Sequence, residues 1–154
     1  MAFLSSINIV GSGMTAQQLR LDVISENITN IGTTRTEAGG AYRRKMVVLQ
    51  SESGRDGFRA AMAAASGRGI TSGGSNPAPG GVRVVEIAQD PSELPLVYDP
   101  SHPDANADGY VEMPNVTLVK ELTDAMAATQ AFSANVTAFN ALKEVIARGL
   151  EIGR

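Results

Sequence analysis

Apolar residues recur along the first thirty positions at a spacing of seven. Ile7, Met14, Leu21 and Ile28 form one series, and Phe3, Val10, Ile24 and Ile31 form a second, offset by three or four and interrupted only by Gln17. Two interleaved sevens of this kind make the a/d seam of a helix that packs along its length against another helix. The seam predicts a helix from about Phe3 to the Asn30-Ile31-Gly32 turn, where Asn and Gly suit left-handed residues closing a helix. Gly11 and Gly13 lie inside it, at a cost of about 1 kcal/mol each.

A second helical pattern occupies the other end. No Gly or Pro occurs from Asn115 to Arg148, and Leu118, Leu122, Ala125, Thr129, Phe132, Val136, Phe139 and Ile146 follow i, i+4, i+7 spacing. At 1.5 Å per residue those 34 positions give roughly 50 Å, several times an average globular helix. Ala127, Ala128, Ala131, Ala134, Ala138 and Ala141 populate its remaining faces, so helices can approach it closely on more than one side.

Between the helices the pattern changes to short stretches flanked by Gly, Pro or Asp. The stretches 42–50 (YRRKMVVLQ), 81–89 (GVRVVEIAQ) and 94–99 (LPLVYD) read as short strands, with a further one at GYVEM, 109–113. Residues 51–80 are rich in Gly, Ser and Ala, with a possible helical turn at FRAAMAAA, 58–65, and read as an excursion. The expected fold is mainly α with a small β-rich middle, the long N- and C-terminal helices pairing as a coiled-coil-like domain. Its expected parts are a first helix at 1–32, a β-rich middle at 33–114 and a second helix at 115–150. The middle is too small to cover 50 Å of helix, so the two helices pair and their leftover seams pack against other chains.

Composition limits the chemistry. Of 154 residues 43% are hydrophobic but only 5% aromatic, and eight of the sixteen glycines lie between Gly54 and Gly81, so bulky core material is scarce. A net charge of −3 offers no general attraction to phosphate, and nucleic acid is not expected as a partner. The single tight basic run, Arg43, Arg44 and Lys45, reads as a solvated strand edge. The absence of cysteine removes disulfides, thiolate metal sites and a thiol nucleophile. No apolar run approaches the ~18 residues of a membrane span, and with Arg20 the first basic residue an ordinary signal peptide is not expected.

Two chemical readings compete with a structural one. DANADG, 104–109, matches the first six places of a calcium-binding EF-hand loop. Its twelfth place is Asn115 rather than a bidentate Glu, Pro103 precedes it and no amphipathic helix leads into it, so a turn shaped by Asp104, Asn106, Asp108 and Gly109 is the plainer account. His102, the only histidine, with Asp99, Asp104 and Asp108 nearby, suggests a hydrolytic or metal centre. It would have one imidazole, and Ser101 would lack a separate base and orienting acid. No cofactor, metal or small-molecule substrate is expected. Gln17, Asn135 and Asn140 are polar residues inside helices packed on several sides, and they are expected to fix register through hydrogen bonds to neighbouring chains.

These residues carry a resemblance. GSGMTAQQLRLDVISENITN, 11–30, resembles the amino-terminal signature of bacterial flagellar axial proteins, the rod, hook and hook-associated subunits. AFSANVTAFNALKEVIARGL, 131–150, resembles their carboxy-terminal helix, and 81–87 with 96–116 looks like the middle of a proximal rod member. The resemblance implies a structural subunit of the basal-body rod rather than an enzyme. It implies export through the flagellar type III channel without signal cleavage, and helical assembly with copies of itself and other rod proteins. Contacts with membrane-ring and export-gate adaptor proteins, transmission of torque and formation of the export conduit belong to the same implication. The expected assembly interface comprises Ile7, Val10, Met14, Leu21, Ile24, Asn27, Ile28 and Asn30 on the first helix, and Leu118, Leu122, Phe132, Asn135, Val136, Phe139, Asn140 and Ile146 on the second.

Overall fold

The computed structural model describes residues 2–52 and 80–152; the rest of the Gly-, Ser- and Ala-rich excursion, including the possible helical turn at 58–65, lies outside the described residues. Helix α1 (Ala2–Thr29) leads to strands β1 (Lys45–Glu52) and β2 (Gly81–Gln89), then β3 (Leu96–Tyr98) and β4 (Tyr110–Glu112), and helix α2 (Leu118–Ile152) closes the order. The two long helices pack against each other, and the β1–β2 ribbon packs on α1.

Helix α1 ends by a different device from the one its Asn and Gly suggest. Among the described residues only Gly39, Gly40 and Gly109 have positive φ, so neither Asn30 nor Gly32 is left-handed. The Asn30 side chain closes the helix instead, its Nδ2 donating to the Glu26 carbonyl at 2.9 Å while its Oδ1 accepts from Thr33 Oγ1 at 3.1 Å. The orphan carbonyls of a helix end need some such donor, and a short amide side chain one turn on can supply it locally. The chain then reverses at Gly39 and Gly40, and Tyr42 N donates to the Thr33 carbonyl at 3.0 Å. Because residues 42–44 are held in this return, β1 starts at Lys45, three residues later than the expected strand at 42–50.

β1 and β2 pair antiparallel from Lys45↔Gln89 to Glu52↔Gly81, with a bulge between Val48 and Leu49. Val48 pairs with Glu86 and Leu49 with Val84, leaving Val85 as the extra residue. The ribbon sits close to α1 because Gly81 has no side chain: a Cβ there would lie 2.6 Å from Ser12 Oγ, which accepts from Val82 N at 3.0 Å and donates to the Ile9 carbonyl at 2.7 Å. β3 and β4 form a second small antiparallel ribbon, capped by the edge-on pair Tyr98–Tyr110 with ring centroids 5.3 Å apart.

The hydrophobic core is small and central. Ala16, Val23, Ile24, Ala41, Tyr42, Val111, Val116 and Ala128 are its buried apolar members. On α2 the sequence stripe divides: Phe132, Val136, Phe139 and Ile146 are half-buried, whereas Leu118 and Leu122 point outward, 52% and 56% exposed. The helix has two apolar sides, and Ala128 is the fully buried residue of the inner one, where a small side chain permits close approach. Among the described residues no helix is long and apolar enough to cross a membrane.

Candidate functional site

The most constrained part of the molecule is a polar knot where α1, β1 and the first turns of α2 meet. Asn27, on the last turn of α1, is fully buried. Its Nδ2 donates to the Lys45 carbonyl at 2.9 Å and to Glu121 Oε2 at 3.0 Å. Its Oδ1 accepts from Lys45 N at 2.9 Å and from Tyr42 Oη at 3.0 Å. The amide therefore splices into the backbone of β1 where that strand begins, using both donors and both lone pairs.

Arg44 supplies the charge. It is 6% exposed, its Nε donates to Glu121 Oε1 at 2.5 Å and its Nη2 to Asp124 Oδ2 at 3.0 Å. Arg20 on α1 reaches the other oxygen of Asp124 at 3.6 Å. The sequence-based assignment of the 43–45 run to a solvated strand edge is thus wrong for Arg44. The guanidinium is buried because α2 presents Glu121 directly opposite, and a buried charge persists only when paired and hydrogen-bonded. Arg43 and Lys45 are half-buried. Lys45 Nζ binds Glu26 and lies 5.7 Å from the centroid of the Tyr42 ring. Burial, followed by the carboxylates of Glu26 and Glu121, pushes the Tyr42 hydroxyl up to about 12. Asn115 braces the same corner: its Oδ1 accepts from Arg44 N at 2.7 Å and its Nδ2 donates to Ser92 Oγ at 2.8 Å.

In the loop that suggested calcium, the side-chain oxygens of Asp104 and Asn106 are engaged by the protein's own groups. Asp104 Oδ2 accepts from Thr34 Oγ1 at 2.9 Å, its Oδ1 faces Arg35 at 3.7 Å, and Asn106 Oδ1 accepts from Asp108 N and Tyr110 N at 3.0 and 2.8 Å. Gly109, at φ 79°, completes the turn. Among the described residues no three His, Asp or Glu side chains are grouped to hold a metal ion. His102 Nδ1 accepts from Asp104 N at 3.1 Å, and Ser101 Oγ donates to Asp99 Oδ1 at 2.6 Å, so serine and histidine are each engaged elsewhere rather than with one another.

Of the positions expected at an assembly interface, Ile24 and Asn27 are buried within the subunit. Ile7, Val10, Met14, Leu21 and Ile28 on α1 and Asn30 just after it are half-buried, as are Phe132, Asn135, Val136, Phe139 and Ile146 on α2, while Leu118, Leu122 and Asn140 are exposed. Asn135 lies against Gly13, where an added Cβ would come within 3.0 Å of its Nδ2. Gln17 Oε1 is buried without a hydrogen-bond partner. Tyr42, Arg44, Asn115 and Glu121 were not singled out from sequence for this role. The available signal was Glu121 lying one turn before Ala125 and two before Ala128 on the small-residue face of α2.

Comparison with known proteins places this geometry in context. A family model described as flagella basal body rod protein matches residues 7–35, and one described as flagellar basal body rod FlgEFG protein C-terminal matches 107–152. The flagellar basal-body rod protein FlgC of Bacillus subtilis (strain 168) is 43% identical over 153 residues, 97% of each chain. That of Borreliella burgdorferi is 41% identical over 156 residues, covering 99% of this chain and 98% of the relative. That of Escherichia coli O6:H1 is 35% identical over 154 residues and all of both chains.

Proposed function

The chain belongs to the FlgC family of flagellar basal-body rod proteins, and from that premise we propose that it is a subunit of the proximal rod that assembles through its terminal helices. The observation that carries the reading is the outer side of α2. Val119, Leu122 and Met126 are 74%, 56% and 68% exposed, and Leu118 and Val145 are also open. Val119, Leu122 and Met126 are spaced three and four apart and therefore share a face. A row of large apolar side chains in water on one long helix is an interface waiting for a partner.

In the assembled rod these residues meet α1 or α2 of neighbouring subunits, copies of this chain and other rod proteins, in coiled-coil-like packing. The stack of such helices carries torque and encloses the export path. The subunit reaches its place by type III export without a cleaved signal, and adaptor proteins at the membrane ring or export gate are its partners at the base. The β3–β4 hairpin gives a site for a label, since Leu96 and Tyr98 are 60% and 65% exposed. Electron microscopy of purified basal bodies from cells whose only copy carries a label there tests the placement. Density in the rod next to the membrane ring supports it; density in the hook or filament refutes it.

A further inference from the structure

The strip of small residues on the inner face of α2 does little to choose one axial offset over another. The inner face of α2 carries Ala125, Ala128 and Ala131 in succession, and on α1 the small residue Gly13 lies against Asn135. Ala16 and Ala128 are buried, and Ala125 and Ala131 half-buried. Sliding α2 by one turn, about 5.4 Å, replaces one alanine by another and leaves the small-residue contact much as it was. Large interdigitating side chains, the usual source of a unique offset, stand beside this small-residue strip, with Phe132, Val136 and Phe139 on α2 only half-buried.

The polar knot has no such degeneracy. Glu121 is fully buried, with one oxygen bound to Arg44 and the other to Asn27. Asn27 and Arg44 are in turn tied to the backbone of β1 and to Asn115. We propose that Arg44 and Glu121 form a register device: they fix the axial offset of α2 against α1 and add little net stability. A one-turn slip takes the buried Glu121 carboxylate from both Arg44 and Asn27, and where it carries Asp124 toward Arg44 the side chain, one methylene shorter, does not reproduce both bonds, a penalty larger than any difference between alanine contacts. In the native offset, by contrast, their attraction is largely offset by the cost of removing two ions from water. Arg44 and Glu121 are positioning residues, acting on where the exposed faces of the two helices stand relative to one another.

The test uses distance rather than stability alone. The chain has no cysteine, so Ser25→Cys and Gln130→Cys, both at exposed positions on α1 and α2, take spin labels at those two sites only. Pulsed electron resonance on the full-length chain is expected to give one narrow distance. In the same labelled chain carrying Arg44→Met with Glu121→Leu, the expected result is retained helical circular dichroism and a thermal midpoint near that of the parent. The distance distribution should broaden or split, with a component displaced by several ångströms. Arg44→Met with Glu121→Met, whose flexible side chains avoid overpacking, is run beside it. A single narrow distance at the parent value in either folded double variant overturns the proposal. Loss of the fold in both double variants assigns the pair to stability and overturns it equally.

Discussion

Asn27 Nδ2 donates to Glu121 Oε2 at 3.0 Å, joining the last turn of α1 to the first turn of α2 across 94 residues of chain. The same side chain also holds Tyr42 Oη and both polar groups of the Lys45 backbone. Asn27→Ala removes four hydrogen bonds and strands a buried hydroxyl and a buried carboxylate oxygen, so a loss of about 3–5 kcal/mol is expected. Asn27→Asp should be worse at neutral pH, because an acceptor replaces the donor facing Glu121. Denaturant titration of both variants checks the order, and Asn27→Asp should recover part of its stability as the pH falls and the new carboxylate takes a proton.

Tyr42 makes stability depend on pH at the alkaline end. Its hydroxyl is raised from 10.0 to about 12 in the folded chain, so between those values the native state holds a proton that the unfolded chain has lost. Stability is therefore fully present below pH 10 and falls as pH rises from about 10 to 12, by roughly 1–2 kcal/mol after allowance for solvent near the ring edge. Tyr42→Phe lowers the plateau through the lost bond to Asn27 and should flatten this limb. Stability measured against pH in both proteins decides it, and an equally steep fall in Tyr42→Phe would move the cause to another group.

The elements followed from the pattern more closely than the site did. Two helices of this length need no context to be seen, since the spacing of Ile7, Met14 and Leu21 and the Gly-free run after Asn115 state them locally. Which side of α2 faces inward was not legible, because Leu118 and Leu122 continue the same stripe as Phe132 and Val136 and only tertiary packing separates them. The knot was harder still. Arg44 in sequence is one of three adjacent basic residues, and its burial depends on an acid 77 positions away. Asn27 was visible within the amino-terminal signature at 11–30, but its contacts to Tyr42, Lys45 and Glu121 come from segments that meet only in the fold.

Gly11 and Gly13 stand two residues apart in α1 and should answer differently to the same change. A Cβ at Gly11 meets nothing within 4 Å, so Gly11→Ala is expected to stabilise the subunit by about 0.5–1 kcal/mol through helix propensity. At Gly13 the added methyl presses on Asn135 Nδ2 at 3.0 Å, and the gain is offset by displacing that amide. Thermal melts of the two variants should separate, with Gly11→Ala the more stable.

Gln17 interrupts the apolar seam and its Oε1 is buried without a partner. An orphaned buried acceptor costs about 1–3 kcal/mol, so Gln17→Leu should raise the melting temperature of the free subunit. If the amide instead serves a neighbouring chain, the same variant should be more stable alone yet build fewer rods. Pairing a melt with a count of basal bodies distinguishes the two outcomes.

Leu122 and Val136 offer the cleanest separation of folding from assembly. Val136 is half-buried where α2 packs in the subunit, whereas Leu122 is 56% exposed on the outer side. A carboxylate at Val136 is desolvated within the chain itself, so Val136→Asp should destabilise the free subunit by several kcal/mol and also block assembly. A carboxylate at Leu122 remains hydrated in the free subunit, so Leu122→Asp should melt within about 0.5 kcal/mol of the parent. In an assembly that buries Leu122 against a neighbour, every copy then carries an unpaired charge into an apolar contact. Leu122→Asp is expected to fold and be exported but to leave cells without hooks or swimming, while Thr137→Asp, an exposed polar position on the same helix, is tolerated. Normal rods from Leu122→Asp would remove the outer side of α2 from the assembly interface, because the substitution leaves the subunit intact and changes only what a neighbour would touch.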